Sequence, residues 1–109
     1  MESLGTIQRA VSDIHCEPDV LNYLYAVIES TRQHARIQLG ASPRAALSLL
    51  RLARAHAFLN GRAYVLPDDV KELAVPSLAH RIRLRNSSED GESSALLVRS
   101  ILADVNVPV

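Results

Sequence analysis

Apolar residues recur along this chain at steps of three and four nearly everywhere, the spacing that lines one face of a helix. Leu4, Ile7, Val11 and Ile14 predict a first helix over roughly Ser3 to Ile14, with Gly5 weakening its start. A second opens at Glu17-Pro18-Asp19. Proline suits the first helical turn, where its missing N–H would have no partner, and acids favour the positive end of the dipole. Val20, Leu24, Val27, Ile28 and Thr31 form its inner stripe, Asn22, Glu29 and Gln33 face outward, and His34 marks the end.

The third helix carries the clearest signals. Ser42 is an N-cap, Pro43 a first helical residue and Gly61 a stop. Ala46, Leu49, Leu50, Ala53 and Ala57 make a wide apolar face that Leu47, Leu52 and Phe58 extend, while Arg44, Ser48 and Arg51 share the opposite stripe. So much apolar surface predicts a central helix, covered on most sides.

Pro67-Asp68-Asp69 starts a fourth helix, with Val70, Leu73 and Ala74 inward, and Pro76 is expected to break or kink it. A further segment, Ser77 to Leu84, carries Leu78, Ile82 and three arginines: Arg81, Arg83 and Arg85. The polar run over residues 86–93 lacks apolar anchors and is expected to be a mobile loop. A last helix spans roughly Ser94 to Asp104, with Leu97, Val98, Ile101, Leu102 and Val105 on one side. Two short stretches alternate instead, around Ile37–Leu39 and Ala63–Val65, and they are the candidates for a minimal β bridge. The expected fold is all-α, one domain over residues 1–109, a compact array of about five or six helices.

Composition narrows the function classes. At 109 residues, 48% apolar and 22% charged, the chain suits one ordinary globular domain. Twelve basic residues balance twelve acidic ones, so no net field points toward nucleic acid or anionic lipid. The lone Cys16 excludes an internal disulfide and paired-cysteine metal sites, and it fits a reducing cytoplasm. No apolar run approaches the roughly 20 residues that cross a bilayer, and no signal-peptide pattern opens the chain. A soluble, cytoplasmic protein with neither nucleic-acid nor membrane partners is expected.

Absent motifs decide much of the chemistry. No Gly-rich phosphate loop, dinucleotide fingerprint or acid-tipped apolar strand is present, so the chain by itself is not a complete nucleotide hydrolase. His15, His34, His56 and His80 form no metal-ligand spacing, and no metal site is expected. Asp68 and Asp69 read as capping and dipole-compensating acids at a helix start. The informative stretch is Leu39-Gly40-Ala41-Ser42-Pro43-Arg44-Ala45. A helix N-terminus attracts anions, and a guanidinium in its first turn offers a fork suited to phosphate oxygens. On these residues alone, Arg44 is either a phosphate contact or a solvated arginine.

The order of motifs adds context. That stretch is followed by Leu49-Leu50-Arg51, by residues 60–70 (NGRAYVLPDDV), and by Leu78-Ala79-His80-Arg81-Ile82. Upstream lie Val20-Leu21-Asn22-Tyr23 and Thr31-Arg32, and residues 101–108 (ILADVNVP) close the chain. This set resembles the C-terminal helical lid of MoxR-family AAA+ ATPases over nearly the whole chain. The resemblance implies a lid beside a nucleotide-binding core, in a ring, with ATP and Mg²⁺ bound in the intact protein. It makes Arg44 the sensor-2 residue for the ATP γ-phosphate, with Ser42 and Pro43 positioning it. It further implies chaperone-like remodelling, with the core, neighbouring ring subunits and von Willebrand factor A-domain proteins as partners.

Two departures bear on it. The nucleotide-binding core is missing, so the chain is expected to be an excised fragment or a lone lid, inactive by itself. Leu66 stands where a hydroxyl N-cap would sit, so the fourth helix is expected to fray. Arg32, Arg51 and Arg81 are open between solvent and an interface. Two other readings compete. A free-standing helical adaptor would bind a partner through an exposed apolar face. A helix-turn-helix DNA binder is disfavoured by the neutral charge and by an Ala- and Leu-rich third helix.

Overall fold

The computed structural model describes residues 4–35, 37–84 and 91–108. Its elements are α1 (Leu4–Ser12), α2 (Pro18–Gln33), β1 (Ile37–Leu39), α3 (Pro43–Leu59), α4 (Pro67–Leu78), β2 (Arg83–Leu84) and α5 (Gly91–Asp104). The array is all-α apart from the two short strands.

Helix α3 lies at the centre, with α4 as its largest partner and α1 and α2 on its other sides. Its buried face is Ala45, Ala46, Leu49, Ala53 and Ala57. Four of these five are alanines, whose short side chains let neighbouring helices come close without leaving voids. Leu24 and Val27 of α2, Val70 and Leu78 of α4 and Val98 of α5 complete the most deeply buried set. Helix α5 closes the far side against α4 and α2.

Helix α3 stops as its glycine predicts. Gly61 takes φ +74°, the left-handed conformation that glycine adopts without a Cβ penalty. The Gly61 N–H donates to the Phe58 carbonyl and the Arg62 N–H to the Ala57 carbonyl, at 3.0 and 2.9 Å. This closing pattern turns the chain back toward the start of α4.

Three expectations are corrected. The bridge expected between β1 and Ala63–Val65 does not form. Strand β1 pairs antiparallel with β2, Ile37 opposite Leu84 and Leu39 opposite Arg83. Tyr64 instead makes a parallel bridge with His15, closed by the His15 N–H on Ala63 and the Val65 N–H on His15. Packing brings the segment after α4, rather than the α3–α4 turn, beside β1.

The break expected at Pro76 is also absent, and α4 runs on to Leu78. The missing proline N–H releases only the carbonyl four residues back, on Glu72. Both Glu72 and Pro76 are exposed, so water can take that bond, and the helix ends two residues later. Ser77 and Leu78 therefore finish α4, and Ser77–Leu84 forms no helix of its own. Helix α5 starts at Gly91, three residues before the expected Ser94; of the expected mobile loop, residues 86–90 lie outside the described residues.

The third correction concerns the start of α4. Leucine at its N-cap offers no side-chain acceptor, yet the Leu66 N–H is held by the Asp69 carboxylate at 2.6 Å. The N3 acid thus supplies half of a capping box.

Candidate functional site

The chain approaches α3 through a tightly held loop. A Cβ on Gly40 would stand 2.6 Å from the Arg32 Cα and 2.7 Å from the Thr31 carbonyl oxygen, both backbone atoms of α2. Only glycine lets the loop lie this close. The next residue, Ala41, is buried, and its N–H donates to the Thr31 hydroxyl at 3.0 Å. That hydroxyl in turn donates to the Ile28 carbonyl at 2.6 Å. Thr31 is wholly buried, so its one hydroxyl ties the last turn of α2 to the loop before α3 with both bonding capacities used.

Ser42 then caps α3, its hydroxyl oxygen accepting the Ala45 N–H at 3.3 Å. Pro43 occupies the first helical position. Arg44 follows, exposed, and makes no hydrogen bond or ion pair with another described residue. Leu39 and Leu47, 60% and 52% exposed, lie either side of it along the chain. One turn along α3, the Ser48 hydroxyl accepts from Arg81 Nη1 at 3.4 Å. Arg81 belongs to the turn after α4, and Arg32 and Arg51 are exposed as well.

A second polar centre escaped the sequence reading. Asp69 is wholly buried and is met by Arg62 through its two terminal nitrogens, Nη1 and Nη2, at 2.6 and 2.8 Å. His56 Nδ1 lies 2.6 Å from its Oδ1. Burial alone would raise the Asp69 pKa; the hydrogen bonds from Arg62, His56 and the Leu66 N–H outweigh it and hold the carboxyl at about 2. His56 and Arg62 lie 13 and 7 positions from Asp69, and no local spacing rule brings such side chains together. With every carboxylate oxygen engaged, this is a structural clasp. Among the described residues no three His, Cys, Asp or Glu side chains converge as a metal site. Nor is any described helix long and apolar enough to cross a membrane.

Residues 29–101 match the AAA lid domain family, a span that takes in both the Arg44 edge and the Asp69 clasp. The chain belongs to that family, in its MoxR branch. The lid is 38% identical over 104 residues to the uncharacterised protein YeaC of Bacillus subtilis, covering 94% of the lid and 32% of YeaC. It is 31% identical to chaperone MoxR1 of Mycobacterium tuberculosis, over 82% of the lid and 26% of that protein. The crystal structure of a proposed ATPase from Cytophaga hutchinsonii superposes with a TM-score of 0.83 at 33% identity. It covers 93% of the lid and 34% of its own chain. The lid thus spans about a third or less of the length of the relatives it matches.

Proposed function

We propose that this lid closes over ATP held by an AAA+ core in the full-length protein, with Arg44 as the sensor-2 arginine that meets the γ-phosphate. The observation that carries the reading is the state of Arg44. Its guanidinium is exposed and without a partner among the described residues, in the first turn of a helix whose approach loop is pinned by Gly40 and Ala41. Free N–H groups and the helix dipole favour an anion there, and the fork geometry matches phosphate oxygens. Ser42 and Pro43 set the helix start and so aim Arg44.

In this reading the exposed Leu39 and Leu47 are covered by the core. Loss of the γ-phosphate removes the anion that Arg44 faces, and the lid angle follows. Mg²⁺ belongs with ATP at the core and takes no ligand from this chain. The intact protein is a cytoplasmic ring ATPase with chaperone-like activity, its partners the core, neighbouring subunits and von Willebrand factor A-domain proteins. The name of the Mycobacterium relative, a chaperone, supports the chaperone-like activity alone.

Substituting Arg44→Ala in the full-length protein tests the reading. Turnover should fall by about a hundredfold, the scale of losing one donor to developing charge, with the nucleotide-free melting temperature unchanged. Wild-type turnover would remove Arg44 from the mechanism. The lid alone, lacking a phosphate loop, should show no ATP binding by calorimetry; micromolar affinity there would contradict the division of labour.

A further inference from the structure

Positive charge is segregated in this lid although the whole chain is neutral. Between Glu29 and Asp68 the sequence holds Arg32, Arg36, Arg44, Arg51, Arg54 and Arg62 and no acid at all. Arg62 is committed to Asp69. Arg44 and Arg51 stand exposed on one stripe of α3, with Ser48 between them. Into that stripe comes Arg81 from the turn after α4, its Nη1 on the Ser48 hydroxyl at 3.4 Å.

Residues four apart on a helix are neighbours, so Ser48 holds Arg81 one turn from Arg44. Neither arginine has a carboxylate partner among the described residues. Solvated like charges gain nothing from being brought together, whereas a polyanion with several oxygens would engage both forks at once.

We infer that Arg81, positioned by Ser48, is a second phosphate-binding arginine of the lid, acting beside Arg44 on the polyphosphate of a nucleotide. This rests on the Arg44 reading above. The hydroxyl accepts one Nη1 hydrogen, and the remaining guanidinium donors stay available to phosphate oxygens. Ser48 is a positioning residue and touches no ligand itself. Arg81 comes from beyond α4, so the polyphosphate would join the two ends of the α3–α4 unit.

The test is equilibrium binding of a fluorescent, non-hydrolysable ATP analogue to the full-length protein. The variants are Arg44→Gln, Arg81→Gln, Arg81→Lys, Ser48→Ala and, as a charge control, Arg99→Gln on α5. Arg81→Gln should weaken binding by about tenfold, the value of one charge-assisted hydrogen bond. Arg81→Lys should recover part of that loss by keeping the charge without the fork, and Ser48→Ala should weaken binding by a smaller factor of about two to three. Nucleotide-free melting temperatures should match the wild type, and Arg81→Lys keeps the proposal testable if Arg81→Gln folds poorly.

Binding by both Arg81 variants at wild-type affinity, with Arg44→Gln weakened, would overturn the inference and leave the Arg44 reading standing. An equal loss in Arg99→Gln would reduce the effect to net charge and overturn it too. Wild-type affinity in the Arg44 and Arg81 variants alike would overturn both readings.

Discussion

Arg62 holds Asp69 at two points, Nη1 on Oδ2 at 2.6 Å and Nη2 on Oδ1 at 2.8 Å. The pair fastens the turn after α3 to the first turn of α4. With His56 Nδ1 and the Leu66 N–H, four hydrogen bonds converge on one buried carboxylate. A carboxylate so enclosed is stable only because each lone pair is answered by a donor.

Asp69→Ala removes the common acceptor and leaves the Leu66 N–H and the Arg62 fork without it. We expect a loss of about 3 kcal/mol, which lowers the melting temperature of a domain this size by on the order of 15 °C. Circular dichroism melting of the variant checks this. A midpoint within experimental error of the wild type would show that the clasp contributes nothing.

The same carboxylate gives the lid an acid-sensitive component. Its folded pKa of about 2 lies below the ordinary 3.8, so the unfolded chain takes up the proton first. The stabilisation is fully present above the unfolded value and is lost as pH falls from there through the folded pKa. Wild-type melting temperature should therefore drop more steeply than that of Asp69→Asn between about pH 4 and pH 2. Parallel curves across that window would mean that Asp69 does not titrate differently in the two states.

Gly40→Ala places a methyl carbon against the backbone of Thr31 and Arg32, which cannot rotate aside. The loop or the end of α2 must move, at a cost of about 2 kcal/mol. Urea unfolding should show a lower midpoint. In the full-length protein, nucleotide binding should weaken as well, because the displaced loop carries the start of α3 with it. An unchanged midpoint would indicate that the loop shifts freely and does not pin Arg44.

The local features of the fold were legible from residues alone. Ser42-Pro43 and Gly61 bracket α3 as capping and stop chemistry require, and the stripe on α2 faces the core as its spacing predicts. On α3 the Ala46, Leu49, Ala53 and Ala57 face is buried, whereas Leu47 and Leu52, expected to extend it, are exposed. The placement of Arg44 in the first turn of α3 follows from Pro43 one residue earlier. Pro76 misled because a proline one turn from a helix end costs little when the freed carbonyl faces water. Leu66 misled because the missing hydroxyl was replaced from the other direction, by an acid three residues ahead.

The helical class and the bounds of α3 were legible in the residues, and the order of motifs along the chain pointed to its family. The class and the helix bounds rest on interactions within a few residues, where periodicity, caps and prolines act directly. Long-range packing alone sets β1 beside β2, brings Arg62 and His56 onto Asp69, and carries Arg81 to Ser48 across 33 positions. Those contacts depend on how the helices pack around the alanines of α3. Alternation marked Ile37–Leu39 as a strand, but two or three residues cannot name their partner, so the choice among short segments falls to the core that brings one of them near.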